Sequence, residues 1–392
     1  MRMVLTNLGG TGDIWPFLAL AVELRRNKHD PILMLSPNFA PLAKQMNVTF
    51  IPIGPEFRFE DFRHMIAGTA TAGSFLEQAY PLAVNGLQAL PQMFRELVNV
   101  CRDADMIIGG AGQPAARMVH ETLNIPFVSI HYAGFVVWSM PAVRQAVAPI
   151  INVCRMREGL PPLRDPLTAD AHSSQLAIYA ISRHVMRPPR SWPAHYHVAG
   201  YFFLDDEGWQ PDPALIEFLA TGERPIAISF GSAMHDDPDV LTDLLLEAIH
   251  RVGCRAIIQQ GWSGLGKRPT PSNVHITGFT SHNWLFPRTN CVVHHGATGT
   301  TAATFRAGVP AVFVPHAFEQ PLNAELAREL GCAGAAIPYK QITAKRLAAA
   351  ISTTLSTPRY YEKSTILGQQ IREENGVQTA LQLIEQLPIM AD

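Results

Sequence analysis

The sequence predicts an α/β protein with two doubly wound domains that face each other across a central cleft. Residues 1–53 alternate short apolar runs with helical patterns, which is the rhythm of a parallel sheet covered by helices on both faces. A second alternation of the same kind begins near residue 225. The stretch His197–Pro213, shortly before this second alternation, is rich in glycine and proline and is typical of a linker.

The N-terminal half opens with a strand and a glycine turn. The apolar run Met3–Leu8 ends in the turn Gly9–Asp13, and Pro16–Arg26 has the spacing of an amphipathic helix. Pro31–Leu35 and Thr49–Ile53 are the next two predicted strands. The turn lacks the third glycine of a dinucleotide fingerprint, and its acidic residue follows at once instead of about twenty residues later. The turn is therefore not a dinucleotide site.

Two irregular segments of the N-terminal half follow predicted strands. Glu56–Gln88 interleaves aromatic and polar residues, and His131–Trp138 is an aromatic, largely apolar loop. Because open α/β sheets bind ligands at the carboxyl ends of their strands, both segments are candidates for a pocket that holds an apolar ligand. Packing into the core is the alternative for each segment. The candidate residues for such a pocket are Phe57, Phe62, His131, Phe135 and Trp138.

The C-terminal half carries the most informative stretch. A strand is predicted at Cys291–Val293, followed by a turn of small residues at His294–Thr300 and a helix at Thr301–Ala307. Small residues let the backbone approach a ligand closely, and the helix N-terminus offers N–H groups and the positive end of its dipole. This combination favours a phosphate or pyrophosphate, although a plain βαβ crossover also uses such turns.

The polar side chains around this turn fit a nucleotide sugar. His294 and His295 end the strand, where an imidazole can donate a hydrogen bond to the same anion. Glu319 and Gln320 close the next loop with a carboxylate and an amide, which suit the hydroxyls of a sugar. The order of these groups favours a nucleotide-sugar site over a simple crossover.

Composition and charge exclude several other classes of protein. The 392 residues are 47% hydrophobic and 16% charged with a formal net charge of −2, which gives no electrostatic basis for binding nucleic acid. The five cysteines lack CxxC spacing, which indicates free thiols in a reducing compartment and no zinc site. The carboxylates of Asp205–Asp206 and Asp236–Asp237 are interpreted as turn or helix-cap groups. With no recognised signal peptide or membrane span, we expect a cytoplasmic protein.

Six short motifs occur in a fixed order along the chain. They are GGTGD, FGS, HNWLFPR, HHGATGTT, RAGVP and EQP. With these motifs the chain resembles the GT-B nucleotide-sugar glycosyltransferases, above all the bacterial natural-product, sterol and rhamnolipid-type enzymes related to UDP-glucuronosyltransferases. The resemblance covers nearly the whole chain and is most specific from Gly278 to Gln320.

The resemblance implies two Rossmann-like domains with different ligands. Residues 1–200 are expected to bind the acceptor, 201–222 to link the domains, and 223–375 to bind the nucleotide sugar. The helix in 376–392 is expected to pack back on the N-terminal domain. Members of this family move a sugar with inversion from a UDP- or dTDP-sugar to a hydroxyl, without a metal or other cofactor. The expected partners are therefore a nucleotide-sugar donor and a small apolar acceptor.

The resemblance also implies roles for individual residues. Asp13 matches the general base of the aspartate-type members, and a helix-capping role is its alternative. His295 either supports the turn from beneath or joins the ligands. The residues implied to bind the donor are Gly231, Ser232, Ser281, His282, His294, Thr298, Gly299, Thr300, Glu319 and Gln320.

Departures from the family pattern leave the sugar and the nucleotide open. Thr11 stands where a basic residue is common, and Ala297 and Thr298 stand where smaller residues are common. Asn283 and Glu319 each replace an aspartate. None of these changes affects the expected fold or reaction class.

Two other functions are compatible with the sequence. One is an isomerase similar to the UDP-sugar 2-epimerases on the same fold, and the other is a non-catalytic protein that activates a partner glycosyltransferase. Arg183, Arg187 and Arg190 beside Trp192 allow at most a peripheral membrane contact, and a solvated linker is favoured. The oligomeric state is not indicated by the sequence.

Overall fold

The computed structural model describes residues 1–56, 87–110, 112–132, 141–205, 209–233, 235 and 237–388. They form two compact units. Unit 1 comprises Met1–Leu204 and the C-terminal segment from Glu374, and unit 2 comprises Asp205–Glu373. Each unit contains an open parallel sheet with helices packed against it. The predicted class, α/β with two parallel-sheet domains, is confirmed.

The sheet of unit 1 has the strand order β3-β2-β1-β4-β5-β6-β7, and every neighbouring pair is parallel. Its strands are β1 (Arg2–Thr6), β2 (Asp30–Leu35), β3 (Thr49–Pro52), β4 (Met106–Gly110), β5 (Phe127–His131), β6 (Leu176–Tyr179) and β7 (Tyr196–Val198). Successive side chains of β1 point to opposite faces, so Leu5 joins one hydrophobic cluster and Val4 the other. Burial on both faces explains why these strands appear as continuous apolar runs.

Six described helices belong to unit 1. They are α1 (Thr11–Arg26), α2 (Ala40–Gln45), α3 (Leu90–Cys101), α4 (Pro114–Leu123), α5 (Pro141–Arg157) and the C-terminal α13 (Gly376–Glu385). Helix α1 begins at Thr11, five residues before the predicted start at Pro16. Proline is common at the first position of a helix, which explains the misplaced prediction. Here the side chain of Asp13 closes the first turn instead, and Pro16 lies inside the helix.

The C-terminal helix packs on unit 1, as predicted. The segment 358–387 is broken at residues 374–375, and Asn375 caps α13 by accepting a hydrogen bond from the Gln378 N–H at 3.2 Å. Leu381 and Ile384 of α13 are buried in the same cluster as α1 and the first strand. The last helix is therefore a structural part of the N-terminal unit.

We predict that Ile384→Ala destabilises unit 1 by about 2–4 kcal/mol. The Ile384 side chain is fully buried, so its truncation leaves a cavity beneath α13. The free energy of unfolding from urea titration measures this loss. Gln382→Ala, an exposed change on the same helix, is the matched control and is expected to stay near the parent value. Equal stability of the two variants would show that α13 is not docked.

Unit 2 contains the sheet β10-β9-β8-β11-β12, again with parallel neighbours throughout. Its strands are β8 (Ile226–Ser229), β9 (Ala256–Gln259), β10 (Val274–Thr277), β11 (Val292–His294) and β12 (Ala311–Phe313). Its described helices are α6 (Pro213–Ala220), α7 (Pro238–Val252), α8 (His282–Leu285), α9 (Thr298–Ala307), α10 (Gln320–Glu329), α11 (Ala344–Ser356) and α12 (Pro358–Glu373). Short 3-10 turns lie at Pro37–Phe39, Phe286–Arg288 and Tyr339–Gln341.

Three elements were not predicted from the sequence. Helix α5 follows the aromatic loop, strand β7 adds an edge to the first sheet, and helix α6 lies within the stretch 201–222 that was predicted as a linker. Leu215 of α6 is fully buried in the core of unit 2, so this part of the chain is folded. Glycine and proline on either side of it produced the linker pattern. Among the described helices, none has the length and apolar character needed to cross a bilayer.

Candidate functional site

Each sheet has one point at which its strand order reverses. In unit 1 this point lies between β1 and β4, and in unit 2 it lies between β8 and β11. Open parallel sheets bind ligands in the crevice at the carboxyl ends of the two strands that flank such a point. The predicted catalytic aspartate follows β1, and the predicted phosphate turn follows β11. Each lies at the edge of its own sheet where a ligand site is expected.

The carboxyl group of Asp13 is held at the start of α1. Its Oδ2 accepts a hydrogen bond from the Gly10 N–H at 2.7 Å. Burial raises the pKa of Asp13 to about 6, and hydrogen bonds from the Gly10 N–H and the Tyr132 hydroxyl oppose that rise. A carboxyl group with this pKa is largely ionised at neutral pH and is a stronger base than an ordinary aspartate. Asp13 thus closes the helix turn and is also suited to accept a proton.

Gly9 makes room for this carboxyl group. Its φ of +133° is a conformation that side chains rarely adopt. A Cβ at this position would lie 2.1 Å from Oδ2 of Asp13. In the motif GGTGD, Gly10 therefore forms the helix cap, and Gly9 allows the close approach of the Asp13 carboxylate.

Two further side chains contact Asp13 from neighbouring strand ends. The Asn7 Nδ2 group donates to the main-chain oxygen of Asp13 at 2.9 Å and to the hydroxyl oxygen of Tyr132 at 2.7 Å. The Tyr132 ring packs edge-on against Phe17 of α1, with ring centroids 6.2 Å apart. Sequence reasoning missed Asn7 and Tyr132 because they lie 125 positions apart along the chain.

The turn after β11 leads into α9, which begins at Thr298, three residues earlier than predicted. Threonine and glycine have weak helix propensity, so the first turn was interpreted as part of the loop. The N-cap residue is Ala297, and among the described residues no side chain caps this helix end. By contrast, Asp237 caps α7, which confirms its interpretation as a helix-cap carboxylate. The first N–H groups of α9 therefore remain available to a ligand.

Thr298 and Gly299 are the accessible residues at this helix end. The Thr298 hydroxyl oxygen accepts from Asn323 Nδ2 at 3.2 Å, which leaves its own hydrogen to donate. Gly299 is exposed, and its Cβ position has no neighbour within 4 Å. Thr300 is buried at 7% exposure. Across the crevice, Gly231 and the half-buried Ser232 follow β8, as predicted.

The chain is similar to known sugar-transferring enzymes over nearly its whole length. Residues 243–385 match the family model described as erythromycin biosynthesis protein CIII-like, C-terminal domain. The chain is 29% identical to an O-mycaminosyltylonolide 6-deoxyallosyltransferase from Streptomyces fradiae, with 98% of this chain and 97% of that protein covered. It is 26% identical to a sterol 3-beta-glucosyltransferase from Leptosphaeria maculans, with 98% of this chain covered. It spans only 28% of that fungal relative.

Solved structures of the same fold cover the chain from end to end. CalG4, the calicheamicin glycosyltransferase, superposes with a TM-score of 0.76 at 19% identity, covering 98% of this chain and 97% of its own. The glycosyltransferase VinC, in complex with dTDP, superposes with a TM-score of 0.71 at 16% identity, covering 98% and 99%. The chain has the GT-B fold of these glycosyltransferases. The resemblance drawn from the six motifs is thereby confirmed.

Both histidines of the HHGATGTT motif are buried. His294 is fully buried, and its Nδ1 accepts from the Gly296 N–H at 3.1 Å. Its Nε2 must then carry the hydrogen, and it has no acceptor among the described residues. His295 is 4% exposed and packs beside Gly231. In this conformation His294 shapes the turn and does not reach its surface, which differs from the direct contact that was predicted.

The other residues that were predicted to bind the nucleotide sugar also make contacts within the loops of unit 2. Ser281 precedes α8 and is 4% exposed. The His282 Nε2 lies 3.1 Å from Gln259 Oε1, and its ring stacks on Phe286. Gln320 uses its amide oxygen to accept from the His316 N–H at 2.7 Å, so that oxygen is engaged in holding the loop.

Glu319 is half-buried directly before α10. In the pair Glu319 and Gln320, the side-chain amide nitrogen of Gln320 is the group that can donate hydrogen bonds to a ligand.

The residues predicted to bind the acceptor lie largely outside the described residues. Phe57, Phe62, Phe135 and Trp138 belong to segments that are not described. His131 ends β5 and is 3% exposed, with its ring stacked on Tyr179. It is therefore part of the interior of unit 1 in this conformation.

Trp192, predicted as a possible peripheral membrane contact, packs against Tyr179 with ring centroids 4.2 Å apart and is half-buried. Within the described part of the chain, no group of three or more histidine, cysteine or acidic residues is placed to hold a metal ion.

The carboxyl edge of the second sheet is rich in uncharged imidazoles. Burial lowers the pKa of His235, His282 and His295 to about 4, and it lowers the pKa of His294 and His316 well below the usual range. The His235 and His316 Nε2 atoms lie 2.9 Å apart. At neutral pH these rings thus contribute hydrogen bonds and not positive charge to the site.

We predict that the protein loses stability below pH 6.5. Because the folded-state pKa of each buried imidazole is lowered, protonation favours the unfolded chain, and the stability present at pH 7 decreases as the pH falls toward 4. Each ring costs at most about 2 kcal/mol at pH 5. Melting temperatures between pH 7 and pH 5 measure the effect. His235→Asn is expected to reduce the pH dependence, and replacing the exposed His250 by Asn is expected to leave it unchanged.

Proposed function

We propose that the protein is an inverting, metal-independent hexosyltransferase that uses a UDP- or dTDP-sugar to glycosylate a hydroxyl of a small apolar acceptor, with Asp13 as the general base. The observation that carries this proposal is the Asp13 carboxyl group, held at the strand reversal of unit 1 with a pKa near 6. An acceptor hydroxyl must lose its proton as it attacks the sugar, and a positioned carboxylate meets that need.

The proposed reaction is a single displacement. The acceptor oxygen bonds to the anomeric carbon while its proton passes to Asp13. The bond from that carbon to the diphosphate breaks on the opposite face, and the diphosphate leaves with the electron pair. The new bond therefore forms with inverted configuration.

The leaving diphosphate is assigned to the N-terminus of α9. The uncapped N–H groups and the Thr298 hydroxyl are donors, and the helix dipole favours negative charge at this end. Donors fixed before the reaction stabilise the charge that develops on the leaving group.

The names of the relatives support an apolar acceptor with a hydroxyl. The Streptomyces fradiae enzyme is a deoxyallosyltransferase named for O-mycaminosyltylonolide, and the fungal enzyme transfers glucose to a sterol. VinC was solved with dTDP, which supports a thymidine nucleotide as one of the two proposed donors. The acceptor itself is to be found by experiment.

Transfer is tested by incubating the protein with dTDP- or UDP-glucose and a panel of macrolide aglycones and sterols. Mass spectrometry is expected to detect a product heavier by one hexose, and the coupling constant of the anomeric proton is expected to show the β configuration from an α-linked donor. EDTA is expected to leave the rate unchanged. An α-linked product, or an epimerised nucleotide sugar formed without acceptor, would contradict the proposal.

A further inference from the structure

The Asp13 carboxyl group receives a hydrogen bond from a residue outside its own helix and loop. Tyr132 follows β5, two strands away from β1 in the sheet of unit 1. Its hydroxyl group donates to the Asp13 carboxyl group, and this hydrogen bond lowers the pKa of Asp13. Its ring is wedged edge-on against Phe17, one turn further along α1. The ring and the hydroxyl therefore both contact the first two turns of α1.

Asn7 determines which way the Tyr132 hydroxyl points. Its Nδ2 has two hydrogens, one donated to the Asp13 main-chain oxygen and one to the Tyr132 oxygen at 2.7 Å. Because an amide nitrogen only donates, the Tyr132 oxygen must accept there, and its own hydrogen is directed elsewhere. The Asp13 carboxylate is the acceptor that this hydrogen finds.

Asn7 itself is held in place by close packing. It is 1% exposed, directly after β1. A Cβ on Gly110, at the end of β4, would lie 2.0 Å from the Asn7 side-chain oxygen. The backbone of the neighbouring strand thus approaches the amide so closely that only glycine fits. The relay from Asn7 to Tyr132 to Asp13 is therefore built into the carboxyl ends of three strands.

We propose that Tyr132 is a positioning residue that holds the Asp13 carboxyl group in the orientation for proton abstraction, and that Asn7 orients the Tyr132 hydroxyl for this purpose. This inference rests on the proposed role of Asp13 as general base. One carboxylate lone pair accepts from Tyr132, and the acceptor proton arrives at another. The tyrosine keeps its own proton throughout, so no proton is lost or gained by the relay.

A donor to a carboxylate stabilises its charged form, so the relay also sets the working pH range. Burial opposes this effect because it raises the pKa of Asp13, and the Gly10 N–H is the other hydrogen-bond donor to the carboxylate. Among the described residues, Tyr132 is the side chain whose hydrogen bond lowers the pKa of Asp13.

The test is Tyr132→Phe, which keeps the ring against Phe17 and removes only the hydroxyl. The pKa of Asp13, followed by carbon NMR of its carboxyl group in the ligand-free protein, is expected to rise by about half to one unit. The acidic limb of the kcat/KM profile is expected to shift upward by the same amount, and kcat at pH 8 to fall about tenfold. Asn7→Ala is expected to raise the Asp13 pKa from NMR and the pKa of the acidic limb of the kcat/KM profile, in each case by less than Tyr132→Phe does.

Tyr196→Phe is the matched control in the same unit, because its hydroxyl bonds to His172 and not to Asp13. It is expected to leave the Asp13 titration unchanged. An unchanged or lowered Asp13 pKa in Tyr132→Phe would overturn the inference, and the NMR titration gives this answer without any assay of transfer. Full turnover in Asp13→Asn would instead overturn the proposed function, so the two failures are distinguishable.

Discussion

Replacing Asp13 with asparagine is expected to lower kcat by about 10³- to 10⁴-fold while leaving the affinity for nucleoside diphosphate within about twofold of the parent value. Asparagine has nearly the same shape, and its amide oxygen can still accept from the Gly10 N–H, but it cannot take a proton. Single-turnover kinetics with saturating donor measure the loss of the chemical step. The proposed donor site belongs to the other unit, so we expect the change to leave it unaltered.

The control for this variant is Asp239→Asn, which makes the same chemical change in the first turn of α7. It is expected to keep parent turnover. Turnover in Asp13→Asn within tenfold of the parent would remove Asp13 from the mechanism.

The stability of Asp13→Asn is expected to move in the opposite direction to its activity. The pKa of Asp13 in the folded protein, about 6, lies above its ordinary value of 3.8, so its contribution to stability is present below pH 3.8 and is lost as the pH rises through 6. At pH 7 the ionised carboxylate therefore destabilises the fold, and asparagine removes this cost. The melting temperature at pH 7 is expected to be equal to or above that of the parent.

Replacing Gly299 with aspartate is expected to raise the Kd for dTDP and UDP by about 100-fold or more, because two negative groups would then share one helix end. The same carboxylate interacts favourably with the helix dipole, and its Cβ meets no neighbouring atom within 4 Å. The protein is therefore expected to fold with a melting temperature equal to or above that of the parent. Isothermal titration with each nucleotide measures the binding.

Ala214→Asp is the matched control for Gly299→Asp. It places a carboxylate at the second position of α6, an exposed helix end in the same unit. Nucleotide affinity is expected to remain at the parent value in this variant. If Gly299→Asp also binds nucleotide normally, the diphosphate does not lie at the N-terminus of α9.

The two glycine-containing motifs could be interpreted from the sequence alone, because each combines the end of a strand, a turn and the start of a helix within a few residues. GGTGD follows β1, and HHGATGTT begins at the end of β11. Each of these strands flanks the reversal point of its own sheet. Their positions, the strand–helix rhythm and the docking of the last helix on the first domain were predicted. The helix starts at Thr11 and Thr298 were not, because side-chain caps and neighbouring strands decide where a turn becomes helical.

The contacts of the polar side chains could not be predicted, because they join distant parts of the chain. Nothing in the local sequence of Asn7 or Tyr132 indicates that they meet Asp13. The burial of His294 was likewise unpredicted, since a strand-end histidine reaches a ligand or the core depending on how the next strand packs against it. Here Phe313 of β12 lies against its ring, with centroids 4.4 Å apart.

The sequence by itself determined the class of fold and the resemblance to glycosyltransferases, because apolar periodicity and short turn motifs are local properties. It also predicted where along the chain ligands bind. Only the tertiary structure decided which side chains are buried, which helix ends lack a cap, and which groups act on the Asp13 carboxyl. The physical reason is that burial and hydrogen bonding depend on the elements that pack together. In a parallel sheet, neighbouring strands are separated by whole helices along the chain.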